Sequence, residues 1–445
     1  MTRNISINKL LVALIDIGLF AASFFITLYW KFGQDIPSRN MNDFLFMLPW
    51  FIIVFIFMAN VYDLYSEYVK HDEKTVSLIF AILITGIINI ALSFLFQQFA
   101  VPRTIFVASS LLQLALLGAW RYLVWTRALL VKEQRQALLV GTSAEIACFQ
   151  DSINSNLDRG LKIVSPLMIN DPQAFCEKWR AFLDSPEAAN IEIIILCASI
   201  SEQNRIFILD YCIVNNKALM VVPGIYDILM QKARLVSAGD MPVMQIKSLT
   251  MNHTTSSIKR ASDIFLSVIS GIITLPLNIL IALAIKLDSP GPVLYSQERT
   301  GLNGNLFTLY KFRTMVCDAE KLTGPVLATE EDPRITRVGR ILRKIRLDEI
   351  PQFWNVLKGD MSMVGPRPER PYFVNEFKAD LPQFDYRHQV KGGITGLAQV
   401  EGRYSTEPTN KLSYDLMYAR NASPGLDFVI LLRTAKVLFL KGKAC

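Results

Sequence analysis

The stretch Ile264-Phe-Leu-Ser-Val-Ile-Ser-Gly-Ile-Ile-Thr-Leu-Pro276-Leu-Asn-Ile-Leu-Ile-Ala-Leu-Ala-Ile285 decides how the chain is arranged. It meets the length of about 20 apolar residues that a helix needs to cross a bilayer. Pro276 stands at its middle. Proline removes a backbone donor and clashes with the preceding turn, so a sharp kink is expected there. Lys259-Arg260 opens the segment and Lys286 closes it, so both flanks are basic and belong on one membrane face. A helix-break-helix over about 260–286, entering one leaflet and returning, satisfies these features if the break is packed or solvated. The alternative is a kinked full span, which would put everything downstream on the opposite face.

Upstream, four apolar stretches fill the first 130 residues: Leu10–Trp30, Phe44–Tyr62, Val76–Phe96 and Ile105–Trp125. Each is long enough to span, and Trp30, Tyr62 and Trp125 sit near ends where aromatic belts form. Asp16 lies inside the first stretch and is either functional or a buried partner within the bundle. Arg121, near the end of the fourth stretch, and Arg127, Lys132 and Arg135 beyond it make the downstream chain, and with it the N-terminus, cytoplasmic by the positive-inside rule. The first apolar run carries no small-residue cleavage site and reads as an anchor. A hydrophobic fraction of 51% agrees with membrane segments, and a net charge of +7 fits anionic lipid or phosphorylated substrates. The six cysteines form no CxxC pair and the three histidines stand far apart, which argues against disulfide, zinc and histidine-metal frameworks.

Residues 134–250 read differently. Ala137–Gly141, Ile191–Leu196 and Ala218–Val222 are β-rich runs alternating with helical segments, the pattern of a small parallel, Rossmann-like α/β sheet. Gly141-Thr-Ser143 stands where a dinucleotide fingerprint would, but the repeated glycines of that fingerprint are missing. A structural or regulatory module is therefore the expectation.

Downstream of the apolar segment the chain is dense in chemistry. Ser289-Pro-Gly-Pro-Val293 leads through Gln297-Glu-Arg299 and Gly301-Leu-Asn-Gly304 to Phe307-Thr-Leu-Tyr-Lys-Phe-Arg-Thr-Met315, followed by Asp318-Ala-Glu320. Lys311 and Arg313 are two apart, so on a strand both point to one side. Neighbouring cations of that kind need an anion between them or solvent around them. Ile335, Val338, Ile341, Leu342 and Ile345 recur at helical spacing, with Arg337, Arg340, Arg343 and Lys344 as a basic stripe. That is an interfacial amphipathic helix, able to rest on anionic headgroups and to aim arginines at phosphate. It runs directly into Asp348-Glu349. Paired carboxylates beside a cationic stripe can hold Mg²⁺ together with substrate phosphates, or one of them can attack phosphorus. Gly365-Pro-Arg-Pro368 then stiffens the backbone around Arg367, and Lys391-Gly-Gly-Ile-Thr-Gly396 and Gln399–Arg403 supply glycine turns.

These blocks, in this order over Ser257–Cys445, closely resemble the bacterial sugar transferase family, the monotopic phosphoglycosyl transferases. The resemblance implies three regions: transmembrane helices over 1–130, the α/β module over 134–250, and a mainly α catalytic domain with a re-entrant helix over 257–445. It implies transfer of a sugar-1-phosphate from a UDP-sugar to undecaprenyl phosphate, releasing UMP through a phosphosugar-aspartate intermediate, at the start of capsule, exopolysaccharide or O-antigen synthesis. Asp348 is then the nucleophile, and Glu349 supports it and shares a Mg²⁺ site with it. Lys311, Arg313, Arg343 and Arg367 match phosphate-binding positions, and Lys259, Arg260 and Pro276 match the membrane anchor. Many relatives carry serine before that proline, where this chain has Leu275. The partners implied are the UDP-sugar, the lipid phosphate and the bilayer, not nucleic acid, with a homodimer by analogy to large members. The expected location is the bacterial inner membrane, with the catalytic domain on the cytoplasmic face where UDP-sugars are found. A non-catalytic membrane sensor or scaffold is the competing class, opposed by the intact acidic and basic positions.

Overall fold

The computed structural model describes residues 2–66, 71–96, 101–131, 135–156, 161–169, 175–317, 332–402 and 407–440. Lys132, Asp318, Glu320 and Arg403 fall outside these. Contacts divide the chain into two compact units, Met1–Val222 and Pro223–Cys445.

The first unit opens with four long helices, α1 (Thr2–Phe32), α2 (Ser38–Val61), α3 (His71–Leu95) and α4 (Arg103–Val131). All four are apolar and long enough to cross a membrane. Large side chains such as Trp30, Ile53, Ile87 and Leu111 point outward, as lipid-facing positions must. Lipid tails are as apolar as leucine, so packing rather than hydrophobicity has to hold such helices together. Here aromatic rings interlock: Phe20 stacks on Phe55 at 4.5 Å and Phe24 on Phe51 at 5.4 Å. Asp16 is buried and ion-paired with Arg121, whose guanidinium also donates to the Leu64 carbonyl. Asp16 thus has a structural partner in the bundle, and Arg121 is no loop charge.

The same unit continues through β1 (Arg135–Gly141), α5 (Ser143–Asn156), β2 (Leu161–Met168), α6 (Phe175–Leu183), α7 (Glu187–Asn190), β3 (Ile193–Leu196), α8 (Glu202–Val214) and β4 (Ala218–Val221). The strands form one sheet in the order β2-β1-β3-β4, every pair parallel. Leu138, Val140, Ile194 and Leu196 pack under Phe175 and Trp179, while Ala137, Leu139, Ile193 and Ile195 pack on Ile146. Both faces are covered, which is why β1 and β3 read as unbroken apolar runs. Strand β2 was not visible in the sequence because Pro166 interrupts it; as an edge strand it tolerates a missing donor. At the end of β1, Glu145 accepts from the backbone N–H of Thr142 and of Ser199, both at 3.1 Å. A carboxylate of the chain itself thereby occupies donors that a phosphate could use.

The second unit holds α9 (Ile225–Met230), the hairpin β5 (Arg234–Ala238) and β6 (Met241–Gln245), α10 (His253–Asp288), the hairpin β7 (Leu294–Thr300) and β8 (Leu306–Phe312), α11 (Arg337–Lys344), α12 (Gln352–Lys358), β9 (Ser362–Val364), α13 (Pro371–Asp380), β10 (Gly393–Thr395), α14 (Leu397–Glu401), α15 (Pro408–Asn421) and α16 (Pro424–Val437). Its main core gathers Ile228 and Leu249 with Val356, Met361, Phe384, Leu416 and Ile430.

Helix α10 is unbroken through Pro276, where the sequence predicted a break. One missing N–H leaves the hydrogen bonds on either side intact. The Thr274 hydroxyl donates back to the Ser270 carbonyl at 2.7 Å, a second bend-promoting feature two residues before the proline. Both ends of α10 pack on the unit. Near its start, Lys259 donates to the Val364 carbonyl and pairs with Asp427 at 2.6 Å, and Asp263 accepts from Ser362 and from the Met363 N–H, each at 3.0 Å. Near its end, Ile281 and Ile285 are buried with Phe312, Leu342 and Ile350. Between them Ile272, Ile273, Leu275, Ile279 and Leu280 stand exposed.

Candidate active site

Helix α11 starts at Thr336, whose hydroxyl accepts from the Gly339 N–H at 3.0 Å. Gly339 lies against Thr314, and a Cβ there would come within 2.1 Å of the Thr314 carbonyl, so only glycine admits this approach. Val338 and Leu342 turn inward, whereas Ile341 and Ile345 of the expected apolar stripe stay exposed. Arg343 reaches back and donates from Nε to the Thr314 hydroxyl at 2.8 Å. The helix ends at Lys344; two residues on, Arg346, a non-glycine residue at φ +58°, makes a left-handed turn that throws the chain into a 3₁₀ turn, Leu347–Glu349. A side-chain-bearing residue in that region stores strain, which recurs at functional sites.

The 3₁₀ turn buries two adjacent carboxylates, Asp348 and Glu349. They are treated very differently. Glu349 Oε1 lies 2.7 Å from Lys311 Nζ, 2.9 Å from the Arg367 guanidinium and 3.8 Å from that of Arg346. Burial pushes this carboxyl up, but Arg367, Lys311 and Arg346 outweigh it and hold it well below the usual range. Glu349 in turn raises the pKa of Arg367, while burial lowers that of Lys311 despite Glu349. Asp348 makes no such contact: its Oδ1 is buried and without a hydrogen-bond partner among the described residues. Desolvation raises its pKa, with Lys311 acting against that rise and Glu349 adding to it. A buried, unpartnered carboxylate oxygen beside a cluster of cations is costly unless something else meets it.

A small open cleft is lined by Arg299, Leu309, Lys311, Gln352, Arg367, Pro368 and Gly393, and two of these, Lys311 and Arg367, contact Glu349 of the turn. Three of its walls are cationic. Burial lowers the pKa of Arg299 to about 10, with Glu369 opposing the shift, so the residue is still charged at neutral pH.

The structure brings Lys311, Arg367, Asp348 and Glu349 together. Arg343 lies in the same segment but is engaged with Thr314. Arg313 goes elsewhere: strand β8 ends at Phe312, and the Arg313 guanidinium donates to the Ser289 carbonyl at 2.8 Å, to the Ser289 hydroxyl at 3.0 Å and to the Pro290 carbonyl. Lys259 and Arg260 hold protein groups. Arg260 donates to the Val356 and Leu357 carbonyls at the end of α12, at 2.6 and 2.8 Å. Pro276 sits in the exposed middle of α10. Sequence reasoning missed Arg346, Gln352 and the cleft role of Arg299; the usable signal was the position of Arg346 two residues before the acidic pair.

For a divalent cation, no group of three acidic, cysteine or histidine side chains converges among the described residues. Asp348 Oδ1 is a buried, unpartnered hard-oxygen ligand, and Mg²⁺ commonly takes one or two carboxylates and completes its shell with substrate phosphates and water. The residues fit a cation shared with a phosphorylated substrate.

Residues 254–441 match the family model described as bacterial sugar transferase. Over 197 residues the chain is 43% identical to the UDP-N-acetylgalactosamine-undecaprenyl-phosphate N-acetylgalactosaminephosphotransferase of Aeromonas hydrophila, covering 44% of this chain and 46% of that one. It is 30% identical over 312 residues to the UDP-glucose:undecaprenyl-phosphate glucose-1-phosphate transferase of Escherichia coli, covering 68% and 67%. It is 35% identical over 223 residues to the undecaprenyl-phosphate galactose phosphotransferase of Salmonella typhimurium, covering 47% and 46%. The chain thus spans under half of the first and third relatives and two thirds of the second.

Proposed function

The chain belongs to the bacterial sugar transferase family, and on that premise we propose that it moves a sugar-1-phosphate from a UDP-sugar to undecaprenyl phosphate. The observation that carries this reading is the unequal pair in one 3₁₀ turn: Glu349 saturated by cations, and Asp348 buried with a free oxygen. Held open in this way, Asp348 is the nucleophile. Its carboxylate oxygen forms a bond to the β-phosphorus of the donor as the bond from that phosphorus to the bridging oxygen breaks, and the electron pair leaves with UMP. An oxygen of the lipid phosphate then attacks the same phosphorus, and the Asp348 carboxylate leaves, giving the diphosphate-linked sugar. Lys311 and Arg367, fixed by Glu349, face the charge that develops on the transferring group, and Arg299 extends the positive wall toward the donor's phosphates. Asp348 and Glu349 are the residues that would hold Mg²⁺, which when bound would supply charge neutralisation for the donor's diphosphate.

We read α10 as re-entrant. Its polar contacts at Lys259 and Asp263 and its core contacts at Ile281 and Ile285 belong to one compact unit. The stretch between Ser267 and Ile281 covers about 20 Å at 1.5 Å per residue, well short of the roughly 30 Å hydrocarbon core. That supports a helix that dips into one leaflet, with the carboxylates at the depth of a lipid phosphate on the cytoplasmic face of the inner membrane. The exposed Ile341 and Ile345 beside the arginines of α11 suit the same interface. We assign the α/β sheet of the first unit a Rossmann-like regulatory or structural part in the same enzyme.

Relatives named for N-acetylgalactosamine, glucose and galactose all match, so the donor has to be found by assay. Detergent-solubilised protein with undecaprenyl phosphate and Mg²⁺ should release UMP from one member of a UDP-sugar panel. No release from any UDP-sugar would remove the proposal.

A further inference from the structure

The loop Pro366–Glu369 has an unusual property: four successive carbonyl oxygens are each held by a separate donor. The Pro366 oxygen accepts from the Gly393 N–H at 2.9 Å and the Glu369 oxygen from the Thr300 N–H at 2.9 Å. Between them, the Arg367 oxygen accepts from the Arg387 guanidinium at 2.8 Å and the Pro368 oxygen from that of Arg299 at 3.1 Å. The backbone was already narrowed, because proline fixes its own φ and restricts the residue before it. With its carbonyls pinned as well, the loop fixes the backbone from which the Arg367 side chain departs, and its guanidinium donates to Glu349 at 2.9 Å.

Arg387 differs from the other three donors. Arg299 lines the cleft, and the Gly393 and Thr300 donors are backbone groups. The Arg387 side chain is not a cleft residue; it is 5% exposed and packs over the Phe384 ring, 4.8 Å from its centroid. Its charge is balanced by Asp415 of α15 at 2.8 Å, which is 2% exposed. A buried ion pair is a poor device for stability, since desolvation offsets most of its attraction. It is a good device for fixing direction, since a charged donor to a carbonyl is stronger and more directional than a neutral one.

We propose that Arg387, with Asp415 behind it, is a positioning residue for Arg367, aiming its guanidinium at the transferring phosphoryl group. The inference rests on the reading of Asp348-Glu349 as the reacting centre. Neither residue of the pair lines the cleft, so their effect runs through Arg367. A displacement of about 1 Å in a group of this kind can cost on the order of 100-fold in rate.

The test is a cycle in the full-length protein, with UMP release as readout. The double variant Arg387→Met/Asp415→Asn removes both buried charges together, so no uncompensated ion is left to unfold the unit; the unfolding midpoint is recorded for each protein. In the presence of Arg367, kcat should fall about 10- to 100-fold, with the donor KM changed by less than about 3-fold. In an Arg367→Ala background the same pair of changes should alter kcat by less than about 3-fold, because there is no longer a guanidinium to aim. Arg387→Lys, which keeps one charged donor, should recover part of the lost rate. Equal losses in both backgrounds, or no loss in either, would overturn the inference. Wild-type protein that releases no UMP would instead strike the underlying reaction, and the inference would fall with it.

Discussion

Replacing Glu349 by glutamine keeps the shape of the side chain and removes the charge on which Lys311, Arg367 and Arg346 converge. At an effective dielectric of about 20, contacts at 2.7, 2.9 and 3.8 Å correspond to roughly 6, 6 and 4 kcal/mol of attraction before desolvation. These do not add, since the cations repel one another and their burial opposes the gain. Breaking a buried pair by removing one partner costs about 3–5 kcal/mol. For a domain of this size, about 2–4 °C per kcal/mol converts that loss into a fall of roughly 6–20 °C in unfolding midpoint. The cluster left behind is an anion site, so inorganic phosphate should restore part of the loss, by about 2.7 kcal/mol at a concentration 100 times its Kd. Differential scanning fluorimetry of both proteins across a phosphate series measures both effects. Turnover should fall about 100-fold without a rise in donor KM, because the freed cations still attract phosphate. A midpoint unchanged in Glu349→Gln, or a lowered one that phosphate does not raise, would refute the reasoning.

Arg313→Ala should destabilise the second unit by about 2–4 kcal/mol through its lost bonds to Ser289 and Pro290, with donor KM within about 2-fold of wild type; a KM rise of about 10-fold or more would place Arg313 on the substrate instead. Burial pushes the Asp415 carboxyl up to about 6, above its ordinary 3.8. The folded state therefore keeps a proton that the unfolded chain gives up, and this contribution to stability is full below about pH 4 and lost as pH rises to 6. Asp415→Asn lacks that dependence, so its midpoint minus that of wild type should climb between pH 4 and 6 and level off above; a flat difference would count against the shift. Single cysteines at Ile258 and Leu287, on either side of the apolar stretch of α10, should react with a membrane-impermeant thiol reagent from the same face of sealed vesicles. Labelling from opposite faces would exclude re-entrance.

Much of this arrangement was legible because it is written in local pattern. The four bundle helices follow from apolar length, β1 and β3 from apolar runs, and α11 from the alternation of arginine with aliphatic residues. Asp348-Glu349 drew notice through the basic stripe before it, and the structure places Lys311 and Arg367 beside Glu349. What failed was reasoning that extended a local rule across a boundary. Lys311 and Arg313 share a side only while the strand lasts, and β8 ends at Phe312. At Pro276 the expected kink is not a break, since helical geometry continues on both sides within one 36-residue helix held at both ends. Arg299, Arg387 and Asp415 could not be found from spacing. Arg299 reaches the Pro368 carbonyl only through hairpin pairing and tertiary packing, and Arg387 is set by the docking of α15, far along the chain from Arg367. The sequence likewise left Asp348 and Glu349 equivalent as carboxylates; their difference comes from which oxygen the cations reach.

The most direct test of the central claim uses the assigned donor in the absence of lipid acceptor. Intact-mass measurement of wild-type protein incubated with that UDP-sugar and Mg²⁺ should show addition of one sugar phosphate, mapped to the peptide containing Asp348, with an equal amount of UMP released. Asp348→Asn should show neither the adduct nor turnover. Undiminished UMP release by Asp348→Asn, or an adduct on another residue, would contradict the account.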